Sequence, residues 1–373
     1  MIIRQLRLNN FRCFANTEFS FDKKFIIIQG PNGSGKSSIL EALHYSCYLR
    51  SFRTHLHKEL MLLGENHFFA HILFDQELTG TNDQIQIGYS SKQGKVVKLN
   101  QKPVQSYKEL LTAYRIVTLT ADDLSLIHSA PEARRSFMNY SLFLIDPECA
   151  GQLKRYKQIV DQRNKLLSFH GLRQSPSFHD ELKVWTGKMW EESQLIRASR
   201  KDYLAKLEAK VNILLQQFFW SSTDAQLHVK LEYVARPAVR HETFDSFWKD
   251  FSQQGLAREL QYGRSTFGAH LDDMTIIFQQ KNSRIFASRG QQKLLVFLLK
   301  IAQLQLTNTS GEASVLLLDD FVTDFDEDRL KRCLEVLQSI PGQIFISSPH
   351  ELNSLLLEQV DSQRIVLSGV MSH

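Results

Sequence analysis

A run of small and polar residues near the N-terminus has the residue types and spacing needed to hold a phosphate. Residues 30–37 read Gly-Pro-Asn-Gly-Ser-Gly-Lys-Ser, after the apolar stretch 25–28 and before the helix-forming stretch 38–43. A strand that leads through such a turn into a helix favours a P-loop over an ordinary glycine turn. Backbone amides then face a phosphate, Lys36 neutralises its charge, and Ser37 ligates Mg²⁺. We predict that ATP or GTP is bound by Gly30, Pro31, Asn32, Gly33, Ser34, Gly35, Lys36, Ser37 and Ser38.

A pair of carboxylates follows an apolar stretch near the other end of the chain. Residues 315–318 are apolar, and Asp319 and Asp320 come directly after them, as in a Walker B strand. Alone this pattern is weak, because many strands end in a solvated turn. Beside a P-loop, Asp319 would hold Mg²⁺, and Asp320 could polarise the water that attacks a γ-phosphate. The predicted catalytic residues are therefore Lys36, Asp319 and Asp320, with Ser37 and Asp319 as metal ligands.

A third pattern, Ser288-Arg289-Gly290-Gln291, lies just upstream of the two acids and opens an apolar helix. A hydroxyl, a flexible backbone and a helix N-terminus can all meet a phosphate, although such a run alone is more often a helix cap. In the order P-loop, Ser288 run, paired acids and then residues 323–326, the chain resembles ABC-type ATPases with their signature motif and D-loop. The resemblance implies a head-to-tail dimer over two ATP molecules. It also implies that Ser288, Gly290 and Gln291 reach the partner's γ-phosphate.

The composition is that of an ordinary globular protein. The 373 residues, 43% of them hydrophobic, are enough for two domains or for one domain with an insertion. No long apolar run or signal-peptide pattern is present, so neither a membrane span nor secretion is expected, and the expected compartment is the cytoplasm. The four cysteines lie far apart in the sequence, which argues against a disulfide framework or a structural zinc site.

The positive charge is concentrated in one middle segment. Residues 151–210 contain thirteen Lys or Arg and seven Asp or Glu, although the whole chain carries only +5. A polyanionic partner would explain this excess. A solvated helical face explains it equally well.

Periodicity in the sequence predicts the elements that position these residues. Alternating apolar stretches at 69–74 and 84–89 predict antiparallel hairpins. From about Pro131 the period becomes helical, with a break at 170–177, which predicts a helical hairpin whose apolar stripe is core packing. From Leu271 strands and helices alternate, as in a parallel sheet with helices on its faces.

The predicted fold class is therefore α/β. It consists of an ABC-type P-loop ATPase head with a mixed parallel and antiparallel sheet, and a helical subdomain with a short hairpin. The predicted division is an N-terminal part of the ATPase lobe at 1–130, a helical arm at 131–262, and a C-terminal part of the lobe at 263–373.

Longer stretches resemble the bacterial RecF family of recombinational DNA repair, and together they span nearly the whole chain. They are residues 8–14, 30–43, 51–54, 131–137, 156–167, 268–273, 288–293 and 316–320. The resemblance implies an ATP-dependent protein that dimerises on DNA, at gaps or single-strand/double-strand junctions, and is released by slow hydrolysis. It implies a weak, DNA-stimulated ATPase that acts as a switch, the mediators RecR and RecO as partners, and no membrane partner. It also places Arg12 beside the nucleotide.

The chain departs from the family pattern in three places. Leu271 and Ala269 stand where the family has arginine and proline, and Thr323 and Phe325 replace serine and leucine in the D-loop. His350 follows a proline at the place of the superfamily's switch histidine. It is either a phosphate sensor or a surface histidine.

Two further basic clusters fit contacts with a duplex backbone. Such contacts need cations on one surface and no particular sequence. One cluster is the pair Arg134 and Arg135, for which ion pairs inside the protein are equally compatible. The other contains Arg50, Arg53, His55, His57 and Lys58.

Two other functional classes share part of this pattern. The energy subunit of a membrane transporter has the same three motifs, but its strand usually ends in Asp-Glu and it lacks a basic helical insertion. In a small-molecule P-loop kinase the Ser288 run would be coincidental.

Overall fold

The computed structural model describes residues 2–76, 80–104, 110, 114–169, 177–219, 227–236, 241–307, 314–320, 325–348 and 360–368. The first strands and helix are β1 (Ile2–Phe11), β2 (Phe14–Ser20), β3 (Phe25–Gln29), α1 (Lys36–Tyr48), β4 (His67–Gln76), β5 (Thr81–Ser90), β6 (Gly94–Leu99), β7 (Lys102–Pro103) and β8 (Ile116–Leu119). The middle of the chain forms α2 (Ser125–His128), α3 (Pro131–Ile145), α4 (Cys149–Ser168), α5 (Phe178–Phe218), β9 (Val229–Val234), α6 (Phe244–Gln254) and α7 (Leu256–Tyr262). The last elements are β10 (Asp273–Phe278), β11 (Lys281–Asn282), α8 (Ser283–Phe286), α9 (Arg289–Thr307), β12 (Val315–Leu318), α10 (Glu327–Ser339), β13 (Ile344–Ser348) and β14 (Ser362–Val366).

The chain forms two compact units. The first contains Met1–Leu124, Gln216–Trp220 and Arg289–His373, and the second contains Ser125–Leu215 and Ser221–Ser288. Among the described residues, no helix combines the length and the apolarity needed to cross a bilayer.

A parallel sheet in the first unit positions the motifs. Its strand order is β14-β3-β13-β12-β8, and every residue of β3, β12 and β13 is buried. Continuous apolar strands of this kind are typical of parallel sheets covered on both faces. The register pairs Phe25 with Ile344 and Ile344 with Leu316, so β3 and β12 end at the same edge of the sheet. The glycine-rich turn and the paired acids therefore emerge side by side.

The antiparallel strands of the first unit form a separate sheet with the order β2-β1-β4-β5-β6-β7. Strands β4 and β5 pair over their whole length, from His67 opposite Ser90 to Gln76 opposite Thr81. Buried side chains of this sheet and of α1 share one hydrophobic core. The predicted hairpins and the predicted α/β fold class are confirmed, with the parallel and antiparallel strands in separate sheets.

The second unit combines helices with a three-stranded antiparallel sheet of order β11-β10-β9. Helices α4 and α5 form the predicted hairpin, and Tyr156, Val160, Met189 and Ile196 are buried in its core. The apolar stripe is therefore packing, as predicted.

Strand β10 differs from the prediction of parallel strands from Leu271 onward. It pairs antiparallel with β9 and with β11, and only Gln279 and Gln280 separate β10 from β11. Both residues have positive φ, 49° and 64°, as in a tight hairpin turn, which is too short for a parallel crossover. Residues 263–288 consequently group with the second unit. The functional division at 1–130, 131–262 and 263–373 stays a prediction.

Three arginines of the second unit are buried in ion pairs with acids from distant parts of the chain. Arg163 lies 2.5 Å from Glu259, and neither side chain is exposed. Arg197 donates to Asp272 through Nε at 2.7 Å and Nη2 at 3.0 Å. Arg134 makes the same two-pronged contact with Asp273, at 2.7 and 3.0 Å.

These contacts correct part of the charge interpretation. Arg200 is also buried, where its guanidinium donates to Asn139 Oδ1 and to the carbonyl oxygen of Ala269. Arg163, Arg197 and Arg200 are therefore structural and do not belong to a surface that contacts a polyanion. For Arg134 the internal ion pair is the correct alternative.

We expect the buried pair of Arg197 to contribute much more stability than an exposed pair on the same helix. Arg197→Met leaves the Asp272 carboxylate buried without its cation and should lower the free energy of unfolding by about 3 kcal/mol. Lys206→Met removes an exposed pair with Asp202 and should cost about 0.3–0.5 kcal/mol. Urea unfolding followed by tryptophan fluorescence measures both. Equal losses in the two variants would contradict a structural role for Arg197.

Candidate functional site

The turn after β3 has the geometry of a phosphate cradle. Gly33 and Gly35 have φ of 82° and 99°, in the left-handed region that favours glycine. A Cβ on Gly35 would lie 2.7 Å from both Cys13 Sγ and Phe14 Cζ, so no other residue fits there. Helix α1 begins directly afterwards at Lys36, and its first amides point out of the helix N-terminus.

Two polar groups of the turn face inward. The buried Lys36 Nζ donates to the carbonyl oxygens of Gly30 at 2.8 Å and Pro31 at 2.9 Å. Ser34 Oγ is also buried, and it has no hydrogen-bond partner among the described residues. Within the described part of the chain the hydroxyl has no partner and the ammonium bonds backbone carbonyls alone, which fits a cradle whose anion supplies further acceptors.

The two sequence motifs converge on one hydrogen bond. Ser37 Oγ donates to Asp319 Oδ1 at 2.9 Å, across 282 positions of sequence. A hydroxyl and a carboxylate in contact are the oxygen ligands that Mg²⁺ prefers. Burial raises the pKa of Asp319 above its ordinary value, and the charge of Asp320 raises it further, while hydrogen bonds from Ser347 and Ser37 partly offset the shift.

Ser347 is a site residue that the sequence analysis missed. Its hydroxyl, fully buried at the end of β13, donates to Asp319 Oδ1 at 2.7 Å and accepts from the backbone N–H of Asp320 at 2.9 Å. Asp320 has a φ of 49°, so the backbone turns sharply after Asp319. The sequence offered one indication of this role: Ser347 lies near the end of an apolar stretch that forms β13, the strand next to β12.

A cavity of about 730 Å³ lies over the turn. Two of the predicted site residues, Arg12 and Asp320, line it, and so does Arg53, which the sequence analysis had placed in a basic cluster. The roles of Arg12 and Asp320 stay predictions. Asp319 is not among the described residues that line the cavity, but it accepts a hydrogen bond from Ser37, which does line it. The turn contributes Asn32, Gly33, Gly35, Lys36, Ser37 and Ser38.

The structure places the signature residues elsewhere. Gly290 and Gln291 begin α9 and are not among the described residues that line this cavity, and Ser288 is exposed. Gly290 lies close to α10, since a Cβ there would be 2.8 Å from Arg329 Nη1. Thr323 and His350 lie outside the described residues, so their predicted roles stay predictions.

The cluster around Arg50 is only partly a basic surface. Arg50, Arg53, His55 and Lys58 are exposed. His57 instead packs its ring against Tyr89 and bonds Tyr45 through Nδ1 at 3.1 Å. Burial lowers the pKa of His57 below its ordinary value, and Lys95 adds to this effect, so His57 does not strengthen a cationic patch near neutral pH.

The profile of the family described as RecF/RecN/SMC N terminal domain matches residues 2–367. The chain belongs to the RecF/RecN/SMC N-terminal domain family. Among curated members, it is 27% identical to the DNA replication and repair protein RecF of Ruminiclostridium cellulolyticum, over all of both chains. It is 28% identical to RecF of Clostridium acetobutylicum, over 98% of each chain.

Solved structures of the RecF/RecN/SMC family agree with this assignment. The structure described as the recombination mediator protein RecF-ATPrS in RecFOR pathway superposes with a TM-score of 0.81 at 25% identity, covering 98% of this chain and 97% of that one. An SMC head bound to the C-terminal winged-helix domain of ScpA gives 0.57 at 15% identity, covering 98% and 94%, and shows the fold alone. The predicted RecF-type ABC/SMC ATPase is confirmed.

We expect the stability of the protein to depend on the charge of the partly buried Asp319. The folded state binds more protons than the unfolded state between the ordinary pKa of Asp319 and its raised value. Stability contributed by this group therefore falls as pH rises through that window. Asp319→Asn removes the charge but keeps an oxygen acceptor for Ser37 and Ser347. In buffer without nucleotide and metal, the variant should melt above wild type at pH 7, and the difference should shrink toward pH 4.

Asp320→Asn is the matched control, because it removes an exposed neighbouring carboxylate. Its effect on the melting temperature should be smaller at every pH. An Asp319→Asn protein that melts below wild type at pH 7 would contradict the burial argument.

Proposed function

We propose that this chain is an ATP-dependent DNA-binding protein of DNA replication and recombinational repair. The observation that carries the proposal is the 2.9 Å contact between Ser37, which lines the cavity, and Asp319, because this contact joins the P-loop to the Walker B carboxylate. The names of the similar proteins, RecF and RecF-ATP in the RecFOR pathway, support ATP as the nucleotide and repair as the process.

In this proposal residues 30–38 bind the phosphates through backbone amides and the Lys36 ammonium. Ser37 and Asp319 would hold Mg²⁺, which would supply positive charge beside the phosphates of the nucleotide. Asp320 orients and polarises the attacking water, since it lines the cavity one residue after Asp319. Ser347 fixes the orientation of the Asp319 carboxylate. Arg12 contributes positive charge at the rim of the cavity.

The same proposal makes the site a composite of two subunits. Gly290 and Gln291 lie outside the cavity lining of their own chain, and Ser288 is exposed at the start of α9. In a head-to-tail dimer these three residues complete the partner's site at its γ-phosphate. ATP binding then closes the dimer on gapped or junction DNA, slow hydrolysis opens it, and RecR and RecO are the proposed mediators.

The composite site predicts different failures in three variants. With a nonhydrolysable ATP analogue, wild type should form dimers that retain DNA, and with ADP it should not. Lys36→Ala should lose both properties because it loses phosphate binding. Ser288→Arg should bind the nucleotide yet stay monomeric, and Asp320→Asn should dimerise with ATP but release DNA slowly. Light scattering and DNA retention on a filter measure these outcomes.

A Ser288→Arg protein that dimerises normally would exclude the shared site. Phosphate transfer to a small acceptor by the monomer, without DNA stimulation, would favour the kinase class. Copurification with membrane proteins would favour the transporter class.

The exposed lysines of α4 are the best candidates for backbone contacts within the basic segment. Lys154, Lys157 and Lys165 are exposed and lie on one side of the helix. Changing all three to Glu should weaken DNA binding and reduce the dependence of log K on log salt by about 0.9 for each lost phosphate contact. Lys92, Lys98 and Lys102 in the first unit are also exposed, so the same triple change there is a control of equal net charge. Identical salt slopes for the two triple variants would favour the alternative that the basic segment 151–210 is a solvated helical face.

A further inference from the structure

A single buried carboxylate connects the two arginines that line the cavity. Glu41 lies in α1, five residues after Lys36, and its side chain is not exposed at all. Its two oxygens accept from Arg12, from Nε at 2.7 Å and from Nη2 at 2.6 Å. This bidentate geometry is the strongest form of the Arg–carboxylate contact and fixes the plane of the guanidinium.

Arg12 is held on its remaining side as well. Its Nη1 donates to the carbonyl oxygen of Glu59 at 2.7 Å, so all three of its nitrogens are engaged. Its backbone adopts a φ of 54°, which is unfavourable for a residue with a Cβ and persists only where the surroundings impose it. Arg12 is therefore presented to the cavity as a fixed charge.

The same carboxylate organises the segment that carries Arg53. Ser51 Oγ donates to Glu41 and accepts from the backbone N–H groups of Arg53, at 2.9 Å, and Thr54, at 3.1 Å. Arg53 Nη1 lies 3.7 Å from Glu41 Oε2, and its side chain is 46% exposed. Arg53 is thus attracted to Glu41 but free to turn toward a ligand.

We propose that Glu41 is a positioning residue for nucleotide binding, which presents Arg12 and Arg53 to the phosphates of the bound nucleotide. The inference rests on the proposed function. Two guanidinium groups share one carboxylate, so these three side chains together carry a net positive charge at the cavity, which Lys36 also lines. Burying this carboxylate is costly, and its hydrogen bonds from Arg12 and Ser51 offset that cost only in this arrangement.

Glu41→Gln tests the inference because it keeps the size of the side chain and removes its charge. Affinity for a fluorescent ATP analogue with Mg²⁺ should fall about tenfold, as when a supporting residue of a site is removed. The matched control is Glu259→Gln, which makes the same change in another fully buried Arg–Glu pair, in the second unit. The control should lower the thermal midpoint and leave the affinity unchanged.

A coupling measurement separates positioning from simple stabilisation. If Glu41 acts mainly through Arg12, Glu41→Gln should weaken binding much less in an Arg12→Ala background than in wild type. Arg12→Lys, which keeps the charge but loses the bidentate contact, should weaken binding too and serves as the second variant if Glu41→Gln does not fold. Full additivity of the two changes, or an unchanged affinity in Glu41→Gln at a temperature where it is folded, would overturn the inference.

Wild type and Lys36→Ala distinguish the two levels of the proposal. Failure of wild type to bind the analogue would reject both the proposed function and the role of Glu41. Binding by wild type that is lost in Lys36→Ala but intact in Glu41→Gln would reject the role of Glu41 alone.

Discussion

The contact between Ser37 and Asp319 depends on the parallel pairing of β3, β13 and β12. Each of these strands is short and entirely buried, so a slip of one residue would place the partly exposed Asp319 in the core. Gln343 helps to fix the register. It is buried, its Oε1 accepts from the backbone N–H of Ile3, and its Nε2 donates to the carbonyl oxygen of Ile3. The site geometry is therefore set by sheet register and not by the turn alone.

Charge in the two compact units serves different purposes. In the second unit three buried arginines are each matched to a carboxylate: Arg134 to Asp273, Arg163 to Glu259 and Arg197 to Asp272. Removing one partner of such a pair leaves an uncompensated buried charge, which makes each pair a strong constraint on the fold. In the first unit Glu41 is shared between Arg12 and Arg53, and Asp319 meets two hydroxyls but no cation at hydrogen-bond distance among the described residues. The charges of Arg12, Arg53 and Asp319 are thus not fully compensated by the protein, and in the proposed function the phosphates and Mg²⁺ would compensate them.

The sequence was sufficient for the motifs and for the class of fold, because a P-loop and a Walker B strand are local patterns with strict spacing. It was not sufficient for contacts between distant residues. Glu41 and Ser347 carry no motif of their own, and their importance comes from Arg12 and Asp319, which the fold brings to them. The acids that neutralise Arg163 and Arg197 lie outside the segment whose charge was counted, so composition overstated the basic surface. Strand β10 was misassigned because an apolar stretch does not specify the direction of its neighbour.

Helix α1 explains why these separate features act on one cavity. Its first turn provides Lys36 and Ser37, and the next turn provides the buried Glu41. Glu41 accepts a hydrogen bond from Arg12, which directly follows β1 of the antiparallel sheet. Ser37 reaches the parallel sheet instead, through Asp319 at the end of β12. One short helix therefore contacts both the Arg12 guanidinium, which follows a strand of the antiparallel sheet, and the Asp319 carboxylate, which follows a strand of the parallel sheet. In the proposed function, a triphosphate bound at the N-terminus of α1 meets both sets of charges, so a shift of this helix would change phosphate and metal binding together.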